Sequence, residues 1–152
     1  MDTGFKLSNG MGWSPDDRTM YFTDFGQSTI FAYDYERATG AITNRRPLIV
    51  VPENEGIPDG MTVDAEGNLW VALWDGWGVA QYDPAGRRIL KVSFPVKRPT
   101  SCMFGGDGLE TLYVTSAWMQ LTDHEREAQP LAGALFAIDT ATHGLPESRF
   151  AG

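Results

Sequence analysis

The chain repeats one pattern of short strands and polar turns three times. The repeats begin at Asn9, Asp59 and Ser101 and read NGMGWSPDDRTMYFTDF, DGMTVDAEGNLWVALWD and SCMFGGDGLETLYVTSA. In each repeat, a polar residue, a small residue and a methionine precede an acidic or glycine-rich turn, and a strand with a central aromatic residue follows. The methionines lie roughly 50 and 40 residues apart, a period typical of propeller blades with four short strands each.

These repeats predict an all-β fold, because β-branched and aromatic residues fill the segments between the turns. We predict one domain of 152 residues with about three four-stranded propeller blades, at approximately 5–56, 57–98 and 99–152. Three blades do not close a ring, since propellers usually have about 4 to 8. We therefore expect a half-propeller whose apolar end faces need a partner, either a second copy of the chain or another polypeptide.

The net charge and the hydropathy of the chain indicate which kinds of partner it can bind. The formal net charge of −8 argues against binding to nucleic acid or to an anionic membrane surface, and it is compatible with binding a cation. No apolar run approaches the roughly 20 residues that span a bilayer, and the first residues lack the features of a leader peptide. A cytoplasmic setting is therefore expected. The single cysteine, Cys102, is interpreted as a small buried residue.

Several prominent residues are assigned structural roles. Trp13 and Trp70 are expected in the core between blades, whereas His124 and His143 are expected to be solvated. The polar segment 122–130 is either a short helix or a loop. Aromatic residues occupy equivalent places in the middle strands of the repeats, namely Tyr21, Trp70 and Tyr113. Aspartates recur at the turns of every repeat, which favours a structural role for Asp16, Asp17, Asp64, Asp83, Asp107 and Asp139.

Two polar residues are candidates for a metal site. Asn9 and Asp59 each begin an innermost strand, so in a propeller their side chains would lie at the same end of the axis, one blade apart. Amide and carboxylate oxygens suit calcium, magnesium or manganese and are acceptable to zinc. Two ligands are too few, since calcium takes about 6 to 8 oxygens and catalytic zinc about three protein ligands. Water or another polypeptide would supply the others.

A turn is the alternative interpretation of these residues. Asn9 and Asp59 both precede glycines, and Pro58 fixes the backbone before Asp59, so both segments also suit simple turns. Other candidates have weaker support. In the third repeat Ser101 takes the place of Asn9 and Asp59, where it would contact a substrate or a metal-bound water. Trp74 and Trp77, in the segment WDGWG, would either stack on a sugar or pack in the core.

The segments LSNGMGWSPDDRTMYFTDF, IPDGMTVDAEGNLWVA and PTSCMFGG resemble the gluconolactonase, regucalcin and senescence-marker-protein family. The resemblance covers nearly the whole chain and matches the second half of such proteins. It implies a six-bladed propeller that holds one divalent metal in its central channel and hydrolyses sugar lactones or related esters. Some members are known mainly as calcium-binding proteins. In the family a glutamate, an asparagine and an aspartate hold the metal, and this chain has the last two, as Asn9 and Asp59.

The resemblance implies a metal-dependent lactonase in which Asp59 is both a ligand and the catalytic base. In a completed site the cation would polarise the lactone carbonyl and a carboxylate would take a proton from water. Two alternatives remain open, a catalytically inactive propeller fragment and a calcium-binding or assembly module. The first-half residues of the family's site are absent. No serine-hydrolase, thiol-redox or phosphate-loop pattern occurs in the sequence.

Overall fold

The computed structural model describes residues 2–146. Within this range the chain forms eleven β-strands in three antiparallel sheets, and each sheet is a meander in which consecutive strands pair. The predicted all-β fold with propeller-like blades is therefore confirmed. Each sheet is one blade, and the innermost strands of the three blades lie side by side at the centre of the arc.

The first two blades have four strands each. The strands of the first blade are β1 (Ser8–Trp13), β2 (Thr19–Asp24), β3 (Thr29–Glu36) and β4 (Ala41–Val50). The strands of the second blade are β5 (Ile57–Val63), β6 (Leu69–Trp74), β7 (Gly78–Tyr82) and β8 (Arg88–Ser93). Short 3₁₀ turns follow β2 and β4, at Phe25–Gln27 and Glu53–Glu55. The first two predicted blades therefore have the expected strand number.

In the third blade the structure describes three strands, β9 (Pro99–Gly105), β10 (Thr111–Ser116) and β11 (Leu135–Asp139). The predicted fourth strand of this blade would fall largely on 147–152, which lies outside the described residues. Segment 122–130 contains a helix, α1 (Asp123–Ala128), in the connection between β10 and β11. Thr122 caps this helix in a capping box with Glu125, which explains why so short a polar segment is helical.

The blades pack through two apolar clusters. The first cluster joins the first two blades and includes Tyr21, Ile30 and Val71, while the second joins the second and third blades and includes Trp70 and Leu112. Strands β5, β6 and β7 are almost entirely buried, because the second blade has a neighbour on both faces. Burial of apolar surface on this scale, at about 25 cal/mol per Å², is the main force that holds the blades together.

Glycines let the innermost strands approach each other closely. A Cβ atom on Gly10 of β1 would lie 2.7 Å from the carbonyl oxygen of Asp59 in β5. A Cβ atom on Gly60 would lie 2.8 Å from the Cα atom of Ser101 in β9. The small residue that follows Asn9 and Asp59 in the sequence is therefore required by the packing of each innermost strand on the next.

Strand pairing corrects the alignment of the third repeat. Each innermost strand contains a bulge, where one extra residue interrupts the pairing with the second strand. The pairs on either side are Ser8↔Asp24 and Met11↔Phe22 in the first blade, Pro58↔Leu73 and Met61↔Val71 in the second, and Pro99↔Ser116 and Ser101↔Thr115 in the third. The residue equivalent to Met11 and Met61 is therefore Cys102, and Met103 lies one position further along.

In this register Tyr21, Trp70 and Tyr113 occupy equivalent positions in the second strands of the three blades, as predicted. Tyr21 pairs with Gly12, Trp70 with Thr62 and Tyr113 with Met103, and each partner follows the corrected position by one residue. The aromatic side chains thus lie on the forward face of each blade, the face towards the next blade in the chain. Tyr21 and Trp70 are buried there, whereas Tyr113 is 40% exposed because the third blade has no successor in this chain.

Trp70 is buried between blades as predicted, but the prediction for Trp13 is wrong. Trp13 is on the backward face of the first blade and is 37% exposed. Its ring packs against Tyr35 of the same blade, with centroids 6.0 Å apart. The reason for the exposure is that no blade precedes the first one in this chain, so its backward face has no blade to pack against.

The N-terminal segment covers part of that backward face. The Phe5 ring lies 4.7 Å from the ring of Phe22, and the Arg45 guanidinium lies 5.3 Å above Phe5. The Tyr33 hydroxyl donates a hydrogen bond to Asp2, and Tyr33 is only 2% exposed. The two ends of the arc therefore differ, because within residues 2–146 no segment covers the forward face of the third blade in this way.

Asp64, in the turn between β5 and β6, forms a fully buried polar centre. Its carboxylate accepts hydrogen bonds from the backbone of Glu66 and Asn68 and from the side chains of Asn68, Trp70 and Gln81. Asp16 and Asp83 likewise accept a bond from the backbone N–H two residues further on. These contacts support the structural role predicted for the turn aspartates.

The last described segment returns from the third blade to the second. After β11, the carbonyl of His143 accepts a hydrogen bond from the backbone N–H of Ala65, and Gly144 forms a β-bridge with Asp64. Gly144 also donates to the carbonyl of Leu109 in the third blade. The side chains of His143 and His124 are exposed, as predicted. No helix within residues 2–146 is long and apolar enough to cross a membrane.

Candidate functional site

The bulges place Asn9 and Asp59 next to each other at one end of the arc. Both residues are the first of the two that replace a single partner in the pairing of their innermost strand. The Asn9 side chain lies close enough to the Asp59 carboxylate, across the boundary between the first two blades, to lower its pKa. The structure therefore brings together the two residues that the sequence indicates as metal ligands.

Asp59 is a buried acid with few compensating contacts. It is 7% exposed, and burial raises the pKa of its carboxyl to about 6, while the nearby Asn9 side chain acts in the opposite direction. No charged side chain contributes to this pKa shift. A carboxylate in such surroundings is destabilised by loss of hydration, and a cation is the partner that would offset this cost.

The side chains at this site have the right chemistry for a hard cation but are few in number. Asn9 and Asp59 offer amide and carboxylate oxygens, which calcium, magnesium and manganese prefer. However, no group of three or more His, Cys, Asp or Glu side chains that could hold a metal occurs among residues 2–146. Asn9 and Asp59 are thus the two oxygen-bearing side chains that the structure places together at this end of the arc.

The structure places Ser101 differently from Asn9 and Asp59. Ser101 packs against Gly60 and pairs with Thr115, so it corresponds to Gly10 and Gly60. The expectation that Ser101 is the third equivalent of Asn9 and Asp59 is therefore wrong by one residue, because the extra residue in β9 comes before Ser101. The equivalent residue is Thr100, whose hydroxyl lies 2.7 Å from that of Thr115.

Trp74 and Trp77 lie at the same end of the second blade as Asp59. Trp74 pairs with Ile57 at the end of β6, and its ring is covered by the Arg98 guanidinium at 4.8 Å and by the edge of Phe25 at 6.2 Å. These contacts favour the packing role for Trp74. Trp77 is 45% exposed in the following turn, where its backbone has a φ of 59°.

Charged side chains connect the loops of the second and third blades at this end. Arg98 is 6% exposed, and its Nε donates to Asp75 at 2.6 Å while its guanidinium also reaches the carbonyl of Met119. Lys97 donates to Glu125 of helix α1 at 2.9 Å. Sequence patterns did not reveal this network, because its members come from loops that are far apart in the chain.

Comparisons with known proteins agree with this architecture. Residues 1–118 match the family model described as the SMP-30/Gluconolactonase/LRE-like region. Over 98% of its length the chain is 39% identical to pentonolactonase XacC of Haloferax volcanii, and over 96% it is 40% identical to regucalcin of Xenopus laevis. It covers 53% of the first of these proteins and 50% of the second.

A solved structure described as a calcium-binding protein, regucalcin from Agrobacterium tumefaciens, superposes with a TM-score of 0.88 at 31% identity. The match covers 93% of this chain and 48% of that one. The chain thus spans about half the length of the relatives that it matches. The family model covers well over half of the chain and the relatives match nearly all of it, so the chain belongs to the SMP-30/gluconolactonase/LRE-like family.

Proposed function

We propose that this chain forms part of the active site of a metal-dependent hydrolase that acts on sugar lactones. The observation that carries the proposal is the contact between Asn9 and the buried carboxylate of Asp59 at the bulges of two adjacent innermost strands. Membership in the family and similarity to a pentonolactonase support the substrate class. The same site is proposed to bind one divalent cation, calcium or zinc, with magnesium and manganese as further candidates.

Asp59 has the properties of a general base. A carboxyl whose pKa is about 6 is mostly ionised at neutral pH and still takes up a proton readily. Its burial keeps bulk water away, and the Asn9 side chain lies beside it. When bound, the cation would polarise the lactone carbonyl and lower the pKa of both Asp59 and a nearby water. Asp59 would then orient the attacking water and accept its proton.

A second polypeptide is proposed to complete the site. Asn9 and Asp59 provide too few ligands for calcium, and the chain spans half the length of its relatives. The forward face of the third blade presents Met103, Tyr113 and Leu135 to solvent, although the equivalent faces of the first two blades are buried. A second copy of the chain, or a polypeptide equivalent to the other half of the relatives, would cover this face and close the ring.

Closure by a second copy has a specific requirement. In a two-fold dimer, the third blade of each copy would pack on the first blade of the other. Residues 2–7 lie on that first blade, where Phe5 contacts Phe22 and Asp2 binds Tyr33. These residues would have to move when the dimer forms. If another polypeptide supplies the missing half instead, residues 2–7 would likewise have to move away from the first blade.

The proposal is tested by measuring hydrolysis of glucono-1,5-lactone with calcium, manganese or zinc, and with a chelator as control. We expect hydrolysis that the chelator abolishes and that Asp59→Asn reduces by about 10²-fold or more. Asp83→Asn, at an exposed turn, is the matched control and should retain activity. Light scattering would establish whether the active form is a dimer. Hydrolysis that survives in folded Asp59→Asn would contradict the proposal, as would the absence of hydrolysis with every cation in a sample that light scattering shows to be a dimer.

A calcium-binding or assembly module is the second candidate. Two observations favour this alternative. One solved relative is described as a calcium-binding protein, and Asn9 and Asp59 offer the oxygen ligands that calcium prefers. Titration calorimetry with calcium separates the two functions. Uptake that depends on Asp59, without hydrolysis of any lactone tested, would favour binding alone.

A further inference from the structure

The site end of the third blade carries a polar residue at the position that Asn9 and Asp59 occupy in the first two blades. Pro99 pairs with Ser116 and Ser101 with Thr115, so Thr100 is the extra residue of β9. Asn9 and Asp59 are the first residues of the corresponding bulges. Since β5 lies between β1 and β9, the three bulges are consecutive around the arc. A third side chain therefore stands beside the proposed site.

The surroundings of Thr100 leave part of its hydroxyl free. The Thr115 hydroxyl lies 2.7 Å from that of Thr100 and also donates to the carbonyl of Ser101 at 3.4 Å. Either hydroxyl can donate in the bond between Thr100 and Thr115. A hydroxyl oxygen has two lone pairs, and this bond uses at most one of them on Thr100, so Thr100 can accept a further hydrogen bond whichever residue donates. Thr100 is half-buried, so its hydroxyl remains partly accessible to a ligand.

We propose that Thr100 contacts the substrate and accepts a hydrogen bond from a hydroxyl group of the sugar ring. This inference rests on the proposed lactonase function and assigns one specificity contact within it. A sugar lactone carries several hydroxyl donors, and Asp59 and Asn9 are engaged with each other and with the proposed cation. The Thr100 hydroxyl, one strand away, suits a sugar hydroxyl better than a cation, because a hydroxyl oxygen is a weaker ligand for a divalent cation than the amide and carboxylate oxygens of Asn9 and Asp59. Thr100 therefore contributes to substrate affinity, and Asp59 to the chemical step.

The test compares Thr100→Val and Thr100→Ser in the full chain. Valine keeps the shape of threonine and removes the hydroxyl, whereas serine keeps the hydroxyl. We expect Thr100→Val to raise KM for glucono-1,5-lactone about tenfold, which is the loss of one hydrogen bond of about 1.4 kcal/mol. The value of kcat and the calcium affinity measured by calorimetry should stay within about twofold, and Thr100→Ser should resemble the wild type.

Binding of D-glucitol, a polyol without a lactone carbonyl, provides a readout that does not depend on hydrolysis. Its Kd should rise in Thr100→Val in parallel with KM. Thr111→Val, at the other end of the same sheet, is the matched control and should change neither value. If Thr100→Val leaves both KM and the Kd unchanged while the wild type is active, the assignment of Thr100 is overturned and the lactonase proposal stands.

Two other results would also overturn the assignment. A rise in KM for Ser101→Ala, with Thr100→Val unaffected, would show that the contact belongs to Ser101. A wild-type chain that neither hydrolyses the lactone nor binds D-glucitol would overturn the proposed function and, with it, the role of Thr100.

Discussion

The Asn9 side chain approaches the Asp59 carboxylate of the neighbouring innermost strand closely enough to lower its pKa. This is a contact between two blades, so the geometry of the candidate site depends on how the blades pack. No positive charge compensates the buried Asp59 carboxylate in this contact, because its neighbour Asn9 is neutral. Burying an uncompensated carboxylate destabilises the folded chain, and a bound cation would offset that cost. The cost should therefore be measurable as a change in the free energy of unfolding.

Asp59→Asn is expected to stabilise the metal-free chain at alkaline pH. The folded-state pKa of about 6 lies above the unfolded value of 3.8, so folding favours the protonated form. The stability that this preference contributes is present below about pH 4 and is lost as the pH rises through 6. The variant should therefore exceed the wild type by up to about 3 kcal/mol at pH 8 and match it near pH 4. Urea unfolding as a function of pH measures the difference.

Asp83→Asn provides a control of opposite sign for that experiment. Hydrogen bonds from the backbone and side chain of Arg87 lower the pKa of Asp83, so its carboxylate stabilises the folded state above its unfolded pKa. Its replacement should cost stability at neutral pH and have less effect in acid. A stability gain in Asp59→Asn that does not vary with pH would contradict the assigned burial of Asp59.

Asp64→Asn is expected to be strongly destabilising although the two side chains have nearly the same shape. All five hydrogen bonds to Asp64 come from N–H donors, and an amide presents an NH₂ group where one carboxylate oxygen accepts. At least one donor, such as Trp70 Nε1, would then lack a partner. We expect a loss of about 3 kcal/mol or more in the free energy of unfolding. A loss below about 1 kcal/mol would contradict this account.

Gly60→Ala is expected to disturb the packing of β5 on β9. The new methyl group would lie 2.8 Å from the Cα atom of Ser101, and a backbone atom cannot move aside without shifting the strand. We expect a loss of about 2 to 3 kcal/mol in thermal or chemical unfolding. In Gly108→Ala the methyl group would meet only the flexible end of Glu110, at 3.3 Å, so this variant should be nearly neutral. Equal losses in both variants would argue against close strand approach as the cause.

Trp70 and Tyr113 provide a test of the open face of the third blade. The two residues are equivalent by register, but Trp70 is 4% exposed and Tyr113 is 40% exposed. Trp70→Ala should cost about 3 to 5 kcal/mol of stability. Tyr113→Ala should cost less than about 1 kcal/mol in the isolated chain, yet weaken association in sedimentation experiments. If Tyr113→Ala leaves a stable dimer intact, this face is not the interface.

Cys102 is expected to be unreactive in the folded chain. Burial raises the pKa of its thiol to about 12, and its Sγ donates to the carbonyl of Trp70 at 3.2 Å. Almost no thiolate is therefore present at pH 8, and a reagent cannot reach it. Labelling with an aromatic disulfide reagent should follow the fraction unfolded as urea is added. Complete labelling within seconds in the absence of urea would contradict the assigned packing.

The sequence predicted the blades well, because a repeated turn pattern marks each of them. It also predicted that Asn9 and Asp59 would lie close together, since each precedes a glycine at the start of an innermost strand. The role of this pair in metal binding and hydrolysis stays a prediction, as do the domain limits. The buried positions of Trp70 and Cys102 followed from residue type alone.

Other features depend on contacts that the sequence does not display. The alignment on Met103 was wrong by one residue because a bulge leaves no consistent mark in the sequence, and Thr100 was missed for this reason. Trp13 was assigned to the core from its size, although its blade has no preceding neighbour. Asp64 was recognised as a turn residue, but its bonds to Trp70 and Gln81 arise only when three strands meet.

The return of the last described segment to the second blade limits how the arc can flex. Ala65 binds His143, and Gly144 binds Leu109, so one short stretch of backbone ties the turns of two neighbouring blades. A hinge opening between these blades at that end would have to break at least one of these two bonds. Among the described residues, no backbone hydrogen bond ties the turns of the first and second blades in this way, so an opening at that boundary, where Asn9 and Asp59 meet, would break fewer backbone bonds.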